Sequence, residues 1–176
     1  MTDTPTARDL VARYIRAIPD FPEPGILFRD ITPLLAEPDA FGQAIDWLTQ
    51  HCEGADAIVG VESRGFILGA PIAQRLNRPF VPIRKAGKLP AETISRSYEL
   101  EYGSATIEMH ADALGSGARV ALVDDLLATG GTAEASLQLV LQAGAEIATV
   151  AFLIELEALN GRERLLPQDI VSMLVY

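Results

Sequence analysis

The stretch V-A-L-V-D-D-L-L-A-T-G-G-T, residues 120–132, decides the fold class. It opens with an apolar run, typical of a strand that is buried on both faces of a parallel sheet. Two aspartates follow, and then a Thr-Gly-Gly-Thr segment that leads into a helical apolar pattern over 133–143, with Gly144 at the C′ position. The order strand, carboxylates, glycine-rich loop and helix predicts one unit of an α/β sheet, with a ligand beyond the strand's carboxyl end.

The same alternation of short strands and helices extends over most of the chain. A helical pattern covers 66–76, and the other apolar, β-branched runs lie at 57–61, 80–83, 147–154 and 170–175. Alternating apolar and polar residues at 94–109, with Gly103 and Ser104 inside, predict an antiparallel hairpin. We therefore expect an α/β fold whose open, mainly parallel twisted sheet is flanked by helices and carries this hairpin as a flap.

The N-terminal residues lack the alternation of strands and helices, and we expect them to form a small hood, a separate N-terminal part beside the sheet. Apolar residues at helical spacing from Leu10 to Ile18 predict a first helix with Thr6 as its N-cap. Prolines and Gly25 then predict an irregular segment ahead of Phe28, and a second helix is expected around 41–48.

Composition sets the broad class. The chain has 176 residues, of which 49% are hydrophobic, and no linker or repeat, so we expect a single domain over 1–176. Its net charge of −10 argues against binding to nucleic acid or to a membrane surface. Cys52 is the only cysteine, and with two histidines a Cys/His zinc site is excluded. The absence of a long apolar run and of a signal-like N-terminus predicts a cytoplasmic protein.

The Thr-Gly-Gly-Thr segment has the chemistry of an anion site. Glycines let the backbone approach an anion closely, helix N-terminal N–H groups point at it, and Thr129 and Thr132 add hydroxyl donors. No lysine follows the glycines and no G-x-G-x-x-G follows a strand, which excludes a Walker A loop and a dinucleotide fingerprint. The alternative is a plain glycine turn with Thr132 capping the helix and solvated aspartates. The complete order of the motif favours phosphate binding.

This motif resembles the 5-phosphoribosyl-1-pyrophosphate motif of the type I phosphoribosyltransferases. The resemblance implies that residues 128–132 cradle the 5′-phosphate and that Asp124 and Asp125 engage the ribose hydroxyls. The five loop residues so implied are Ala128, Thr129, Gly130, Gly131 and Thr132. Segments 20–35, 62–66 and 84–103 resemble the adenine phosphoribosyltransferases of this family, and the similarity extends over nearly the whole chain, with the differences in 91–97.

The resemblance implies a reaction and its partners. Adenine and phosphoribosyl pyrophosphate would give AMP and pyrophosphate, with Mg²⁺ held mainly by substrate oxygens. Ser63 and Arg64 would form the pyrophosphate loop, commonly through a non-proline cis peptide. Arg84 would reach a neighbouring subunit's site, which implies a homodimer.

The basic residues support an anionic substrate independently. Seven of the 14 lie between positions 64 and 96, where Glu92 is the only acid, and Lys85 and Lys88 are the chain's only lysines. We expect Arg64, Arg84, Lys85 and Lys88 to contact pyrophosphate. The alternative is a solvated face, to which we assign Arg75 and Arg78.

The base pocket is less determined by the sequence. Phe28 suits either a core aromatic or a base-stacking ring, and the resemblance implies that it stacks on adenine. The backbones of Leu27 and Arg29 would then contact the purine edge and Leu156 would line the pocket. Relatives acting on 6-oxopurines typically place a lysine near the base oxygen, and no lysine follows Lys88 here, which favours adenine.

Glu101 and Tyr102 lie at the tip of the predicted flap. Glu101 is either one more exposed carboxylate or, as the resemblance implies, a general acid/base near the purine N7. A flap that excludes water would raise the pKa of this carboxyl and suit it to proton transfer.

Three other functions fit parts of the sequence. One is a phosphoribosyltransferase for another purine such as xanthine, and another is a non-catalytic regulator that senses phosphoribosyl pyrophosphate. A receiver-like domain would also place paired aspartates after a strand. The late position of the pair and the Gly-Gly-Thr that follows it argue against a receiver, and the net charge argues against a regulator acting on nucleic acid.

Overall fold

The computed structural model describes residues 6–99 and 103–176. Contacts divide the chain into two units, Met1–Trp47 and Leu48–Tyr176. Among the described residues, no helix is long and apolar enough to cross a membrane.

The first unit contains three helices and a two-stranded antiparallel hairpin. Its elements are α1 (Ala7–Ala12), β1 (Arg16–Pro19), β2 (Leu27–Asp30), α2 (Thr32–Leu35) and most of α3 (Pro38–Cys52), the second helix expected from the sequence. Thr6 caps α1 in a capping box with Asp9, which confirms the predicted start.

The predicted end of the first helix is wrong. α1 stops at Ala12, and Ile18 belongs to β1, where it pairs with Phe28 of β2. An ion pair between Nη2 of Arg16 and Oδ2 of Asp30, 2.5 Å long, joins the ends of the two strands. Phe28 thus belongs to a strand, whereas the sequence predicted only that an irregular segment precedes it.

The second unit is built on a seven-stranded sheet. The strands are β3 (Ala57–Val61), β4 (Phe80–Lys85), β5 (Thr93–Glu99), β6 (Ser104–His110), β7 (Arg119–Leu127), β8 (Glu146–Glu155) and β9 (Ile170–Val175), in the order β5-β6-β4-β3-β7-β8-β9. Strands β4, β3, β7, β8 and β9 run parallel, and β6 is antiparallel to both β4 and β5. Helix α4 (Arg64–Leu76) follows β3 and helix α5 (Gly131–Gln142) follows β7.

This architecture confirms the predicted fold class, with two refinements. The hairpin is not only a projecting flap, because β6 joins the main sheet where Arg84 pairs with Glu108. Strand β7 continues to Leu127, so Asp124 and Asp125 lie inside its carboxyl-terminal half instead of beyond its end. Gly144 adopts a φ of 80° directly after the C-cap of α5, as expected for a helix-ending glycine.

Candidate active site

The carboxyl end of β7 opens into a cavity of about 610 Å³ in the second unit. Residues 128–130 connect β7 to α5, which begins at Gly131 with Gly130 as its N-cap. The first N–H groups of a helix have no partner within it, and here they border the cavity. The lining residues are Tyr98, Glu99, Asp124, Leu126, Leu127, Ala128, Thr129, Gly130, Gly131, Thr132, Ala133, Leu159 and Arg164. The structure thus brings the five predicted phosphate-binding residues together around one cavity.

Thr132 does not cap α5, which removes the alternative interpretation of this residue. The cap position is Gly130, and no side chain closes it. The Thr132 hydroxyl instead donates a hydrogen bond of 3.0 Å to the hydroxyl of Tyr98 in β5. The hairpin therefore contacts the loop that was predicted to hold the phosphate.

A second glycine-dependent turn lies directly behind this loop. Gly130 has a φ of 84°, and a Cβ on it would lie 2.6 Å from the carbonyl oxygen of Gly161. A Cβ on Gly161 would in turn overlap the carbonyl oxygen of Ala128. Gly161 begins a 3-10 helix, Gly161–Leu165, so this helix packs against the backbone of the loop. Sequence analysis missed Gly161, although the Asn160-Gly161 pair is a recognisable turn signal.

The two aspartates of β7 have different surroundings. Asp124 is half-buried and lines the cavity. Asp125 is buried, and its Oδ2 lies 3.0 Å from Nε of Arg64, the first residue of α4. The N–H of Asp125 donates to Oδ1 of Asp124 at 2.9 Å. Of the two residues predicted to bind ribose, Asp124 lies at the cavity, whereas Asp125 faces Arg64.

Burial raises the pKa of both carboxyls. For Asp124 the neighbouring charge of Asp125 adds to the effect of burial and places its pKa well above the usual range. For Asp125 the guanidinium of Arg64 opposes the effect of burial, and its pKa remains raised. A carboxyl pair that resists full ionisation is suited to an electropositive ligand or transition state, which would restore the charge of both groups.

Two carboxylates hold the predicted pyrophosphate-binding segment. Glu62 binds Nη2 of Arg84 at 3.1 Å and accepts from the N–H of Lys85 at 2.9 Å. Glu108, which is buried, accepts from the N–H groups of Lys88 and Leu89, both at 3.1 Å. The pKa of Glu62 is lowered chiefly by Arg84, and that of Glu108 chiefly by the N–H of Leu89. Sequence analysis gave neither glutamate a role.

The loops after β3 and β4 lie at the same edge of the sheet as the loop after β7, because these three strands are parallel neighbours. The Glu62–Ser63 peptide bond is a non-proline cis bond of the kind expected at this loop, while pyrophosphate binding by Ser63 and Arg64 stays a prediction. Lys85 is the last residue of β4 and Lys88 follows the strand, while Arg84, its penultimate residue, also donates from Nη1 to the carbonyl of Lys88. None of these basic residues lines the 610 Å³ cavity, within the part of the chain that the structure describes.

Comparison with known proteins identifies the family. A profile of the phosphoribosyl transferase domain matches residues 31–174. An adenine phosphoribosyltransferase of Streptomyces coelicolor is 56% identical over 169 residues, which cover 95% of this chain and 93% of that protein. The chain belongs to the adenine phosphoribosyltransferase family.

Solved structures of this family share the fold. The adenine phosphoribosyltransferase of Thermoanaerobacter pseudethanolicus superposes with a TM-score of 0.92 at 50% identity, covering 96% of this chain and 99% of that one. The Saccharomyces cerevisiae enzyme, in complex with adenine and an imino-altritol bisphosphate, gives 0.92 at 40% identity, covering 96% and 98%. These matches confirm the family membership that the sequence motifs predicted.

The predicted base-binding residues are not among the residues that line the cavity. Leu27, Phe28 and Arg29 lie on β2 of the first unit, where the Phe28 ring packs edge-on against Phe21 with centroids 5.2 Å apart. Leu156 follows β8, and its N–H donates to the carbonyl of Leu127. Among the described residues it is Leu159, not Leu156, whose side chain lines the cavity. Glu101 and Tyr102 lie outside the described residues.

Among the cavity residues that the sequence analysis did not predict, Tyr98 and Arg164 carry polar groups beside the loop. Tyr98 was noted only for its alternation in the hairpin, and Arg164 was not singled out. The apolar alternation around Tyr98 did indicate one face of a strand, but it could not show that α5 lies beneath this face. For Arg164 no local pattern gives a signal, because its neighbour Gly131 is distant in sequence.

Proposed function

We propose that this chain transfers the 5-phosphoribosyl group of phosphoribosyl pyrophosphate to adenine, giving AMP and pyrophosphate. The observation that carries the proposal is the cavity formed where β7 meets α5, with glycine-rich backbone on one side and Asp124 on another. It holds the groups that a phosphorylated sugar requires, namely backbone N–H donors for the phosphate and a carboxylate acceptor for hydroxyls.

The residues of the loop would bind the 5′-phosphate. The backbone of 128–132 would wrap it, the N-terminus of α5 would stabilise its charge, and Thr129 would donate a hydroxyl. Thr132 could donate as well once its hydroxyl leaves Tyr98 for the ligand. Gly131 leaves room for this approach, since every atom near its missing Cβ lies at least 3.6 Å from that position.

Asp124 and Asp125 would act on the ribose. Departure of pyrophosphate leaves positive charge at C1′ and the ring oxygen, and a buried anionic pair stabilises such an oxocarbenium-like state more than it stabilises the neutral sugar. Asp124 would accept from the ribose hydroxyls. Asp125 would contribute its charge, and its ion pair with Arg64 would link the ribose site to the pyrophosphate loop.

The leaving group would be held by Ser63, Arg64, Arg84, Lys85 and Lys88. Glu62 and Glu108 support this assignment, because they fix the backbone and side chains of the basic segment at the edge of the sheet where β7 ends. Arg84 as a contributor to a partner subunit's site, and with it the homodimer, stays a prediction, as does the cytoplasmic location.

Mg²⁺ is the cofactor that this chemistry requires, and the donor set fits it in a limited way. Among residues 6–99 and 103–176 no three His, Cys, Asp or Glu side chains form a group that could hold a metal by themselves. Mg²⁺ is commonly bound by one or two carboxylates together with substrate phosphates, so the Asp124–Asp125 pair fits this ligation. When bound, the ion would neutralise charge on the departing pyrophosphate.

The proposed adenine contacts are supported by the sequence resemblance alone. Phe28 stacking on the base, the backbones of Leu27 and Arg29 at its edge, and Leu156 in the pocket stay predictions. Glu101 as general acid/base near N7, beside Tyr102, is likewise proposed from the resemblance alone.

The decisive test is turnover by the purified full chain. With phosphoribosyl pyrophosphate, adenine and Mg²⁺ we expect AMP and pyrophosphate in equal amounts, and no product after chelation of Mg²⁺. Adenine supplied with an excess of xanthine, hypoxanthine or guanine should be converted at an undiminished rate. Preferred conversion of another purine would contradict the assignment of the base, and binding of phosphoribosyl pyrophosphate without turnover of any purine would favour the sensing regulator.

A further inference from the structure

Arg164 is the one cationic side chain that lines the cavity, within the described part of the chain. We propose that Arg164 is a further ligand of the 5′-phosphate group, an inference that rests on the proposed function of this cavity. It adds to the loop 128–132 a full positive charge, supplied from the 3-10 helix Gly161–Leu165.

The guanidinium lies beside the first residue of α5. A Cβ on Gly131 would lie 3.7 Å from Nη1 of Arg164, so this nitrogen borders the backbone that would wrap the phosphate. Nε and Nη2 are directed at Oε2 of Glu134, at 3.1 and 3.0 Å. Nη1 has no hydrogen-bond partner among the described residues and is therefore available to an anion in the cavity.

The backbone that carries Arg164 is held firmly against the loop. Arg162, two residues earlier, forms a two-fold contact with the buried Glu155 at the end of β8, through Nε at 3.0 Å and Nη2 at 2.6 Å. Its Nη1 donates to the carbonyl of Ile170 at the start of β9. Together with the packing of Gly161 against Ala128 and Gly130, these contacts fix the position from which Arg164 extends.

The charges around the cavity favour such a cation. Asp124 lines the cavity and Glu134 lies in the first turn of α5, while the loop itself offers only dipoles and hydroxyls. A bound phosphate dianion would add to this negative charge. An arginine fork suits phosphate oxygens better than an ammonium does, because it donates two parallel hydrogen bonds. Glu134 would hold the fork in place until the phosphate arrives.

The alternative is an ordinary surface ion pair. The side chains of Arg164 and Glu134 are 49% and 36% exposed, and pairs of this kind contribute little to stability. The two roles differ in their effect on ligands. A surface pair would not distinguish phosphorylated from unphosphorylated ligands, whereas a phosphate ligand must do so.

The test compares dissociation constants in the full chain for AMP, ribose 5-phosphate, adenosine and pyrophosphate. For Arg164→Gln we expect AMP and ribose 5-phosphate to bind roughly 10- to 100-fold more weakly, the usual effect of losing a charge-assisted hydrogen bond. Adenosine and pyrophosphate should bind as to the parent, and the melting temperature should be unchanged because the side chain is half exposed. Arg164→Lys should recover part of the loss.

Two variants serve as controls. Arg78→Gln removes one positive charge from an exposed position outside the cavity lining and should leave all four constants unchanged. Glu134→Gln breaks the ion pair but keeps Arg164, and AMP should bind at least as tightly as to the parent. AMP binding within two-fold of the parent in Arg164→Gln, or an equal loss in Glu134→Gln, would overturn the inference. Failure of the parent chain to convert adenine would instead refute the proposed function.

Discussion

Nε of Arg64 lies 3.0 Å from Oδ2 of Asp125, so one ion pair joins the first residue of α4 to the buried carboxylate in β7. This ion pair directly connects the predicted pyrophosphate loop to the predicted ribose site. A cation that partly compensates Asp125 leaves Asp124 as the carboxyl with the more strongly raised pKa, and Asp124 is the one at the cavity.

Asp124→Asn and Asp125→Asn should impair catalysis much more than folding. Loss of a charged acceptor for the ribose should lower kcat/KM roughly 10- to 100-fold in each variant, since hydrogen bonds to charged groups contribute about 1.5–3 kcal/mol. The measurement is initial rates of AMP formation alongside thermal unfolding. Unchanged rates in both variants would remove the carboxyl pair from the mechanism.

The stability of Asp124→Asn should depend on pH in a defined direction. A carboxyl whose folded pKa lies above its ordinary value of 3.8 stabilises the fold fully below that pH, and this stabilisation is lost as pH rises through the folded pKa. Asparagine does not ionise, so the variant does not lose stability at this position as the pH rises. We expect Asp124→Asn to melt no lower than the parent at pH 7–8, with the difference between the two shrinking toward pH 4. A variant that melts well below the parent at pH 8 would contradict the raised pKa.

The two glycines of the loop should fail in different ways. Gly131→Ala fits the structure, because each neighbouring atom lies at least 3.6 Å from the new Cβ, yet that methyl group would obstruct the phosphate. We expect normal stability and loss of binding of AMP and phosphoribosyl pyrophosphate alike. Gly131→Val should lose both ligands as well.

Gly130→Ala is the matched control for Gly131→Ala. Gly130 has a φ of 84°, and the new Cβ would lie 2.6 Å from the carbonyl oxygen of Gly161. The substitution should therefore lower the free energy of unfolding by at least about 1–2 kcal/mol, which is the cost of a left-handed backbone alone. Differential scanning calorimetry and AMP titration separate the two effects. AMP binding that survives in a folded Gly131→Ala variant would place the phosphate elsewhere.

Local sequence patterns were sufficient for the interior of the second unit. Strand β3 matches the apolar run 57–61 residue for residue, and α5 lies within one or two residues of its predicted bounds, because burial on both faces leaves few polar interruptions. The turn at 128–132 was equally recognisable, because two adjacent glycines separate the apolar strand from the helical pattern. These features depend on neighbours in the chain.

The misplaced features depend on distant residues. Ile18 fits a helical spacing, but β1 forms because β2 pairs with it across a turn that includes Asp20 and Gly25. Arg164 reaches the loop only because Gly161 and Arg162 position its helix. Glu108 holds the Lys88 segment because β6 pairs with β4, a register that alternation within 94–109 could not reveal.

Glu101→Gln tests a residue that only the sequence assigns. If Glu101 exchanges a proton with the base, the amide cannot, and the single-turnover rate should fall by roughly 10²–10⁴-fold. AMP should bind nearly as tightly as to the parent, because we propose that residues 124–132 supply its phosphate and ribose contacts. Rapid-quench measurements expose the chemical step even if flap motion limits steady turnover. An unchanged single-turnover rate and pH profile would make Glu101 a structural residue.

Glu108→Gln should separate the pyrophosphate site from the rest of the active site. The buried carboxylate accepts from the N–H groups of Lys88 and Leu89, and an amide is a weaker acceptor that also introduces donors without partners. We expect binding of phosphoribosyl pyrophosphate and pyrophosphate to weaken severalfold while AMP, which has no pyrophosphate, binds as before. Glu92→Gln is the control, because it removes the same charge at an exposed position directly before β5. It should leave the affinities for phosphoribosyl pyrophosphate, pyrophosphate and AMP unchanged.

The melting temperature of Glu108→Gln, relative to the parent, should depend on pH in the opposite sense to that of Asp124→Asn. The lowered pKa of Glu108 stabilises the fold above its ordinary value of 4.5, and this stabilisation is lost as pH falls through the folded pKa. Glu108→Gln should therefore melt below the parent at pH 7 and approach it in acid, where the parent's carboxylate is also neutral. Equal weakening of AMP and pyrophosphate would mean that Glu108 supports the whole sheet edge instead of the Lys88 segment. Weakened binding of pyrophosphate beside retained affinity for AMP is the combination that a positioning role of Glu108 toward the Lys88 segment predicts.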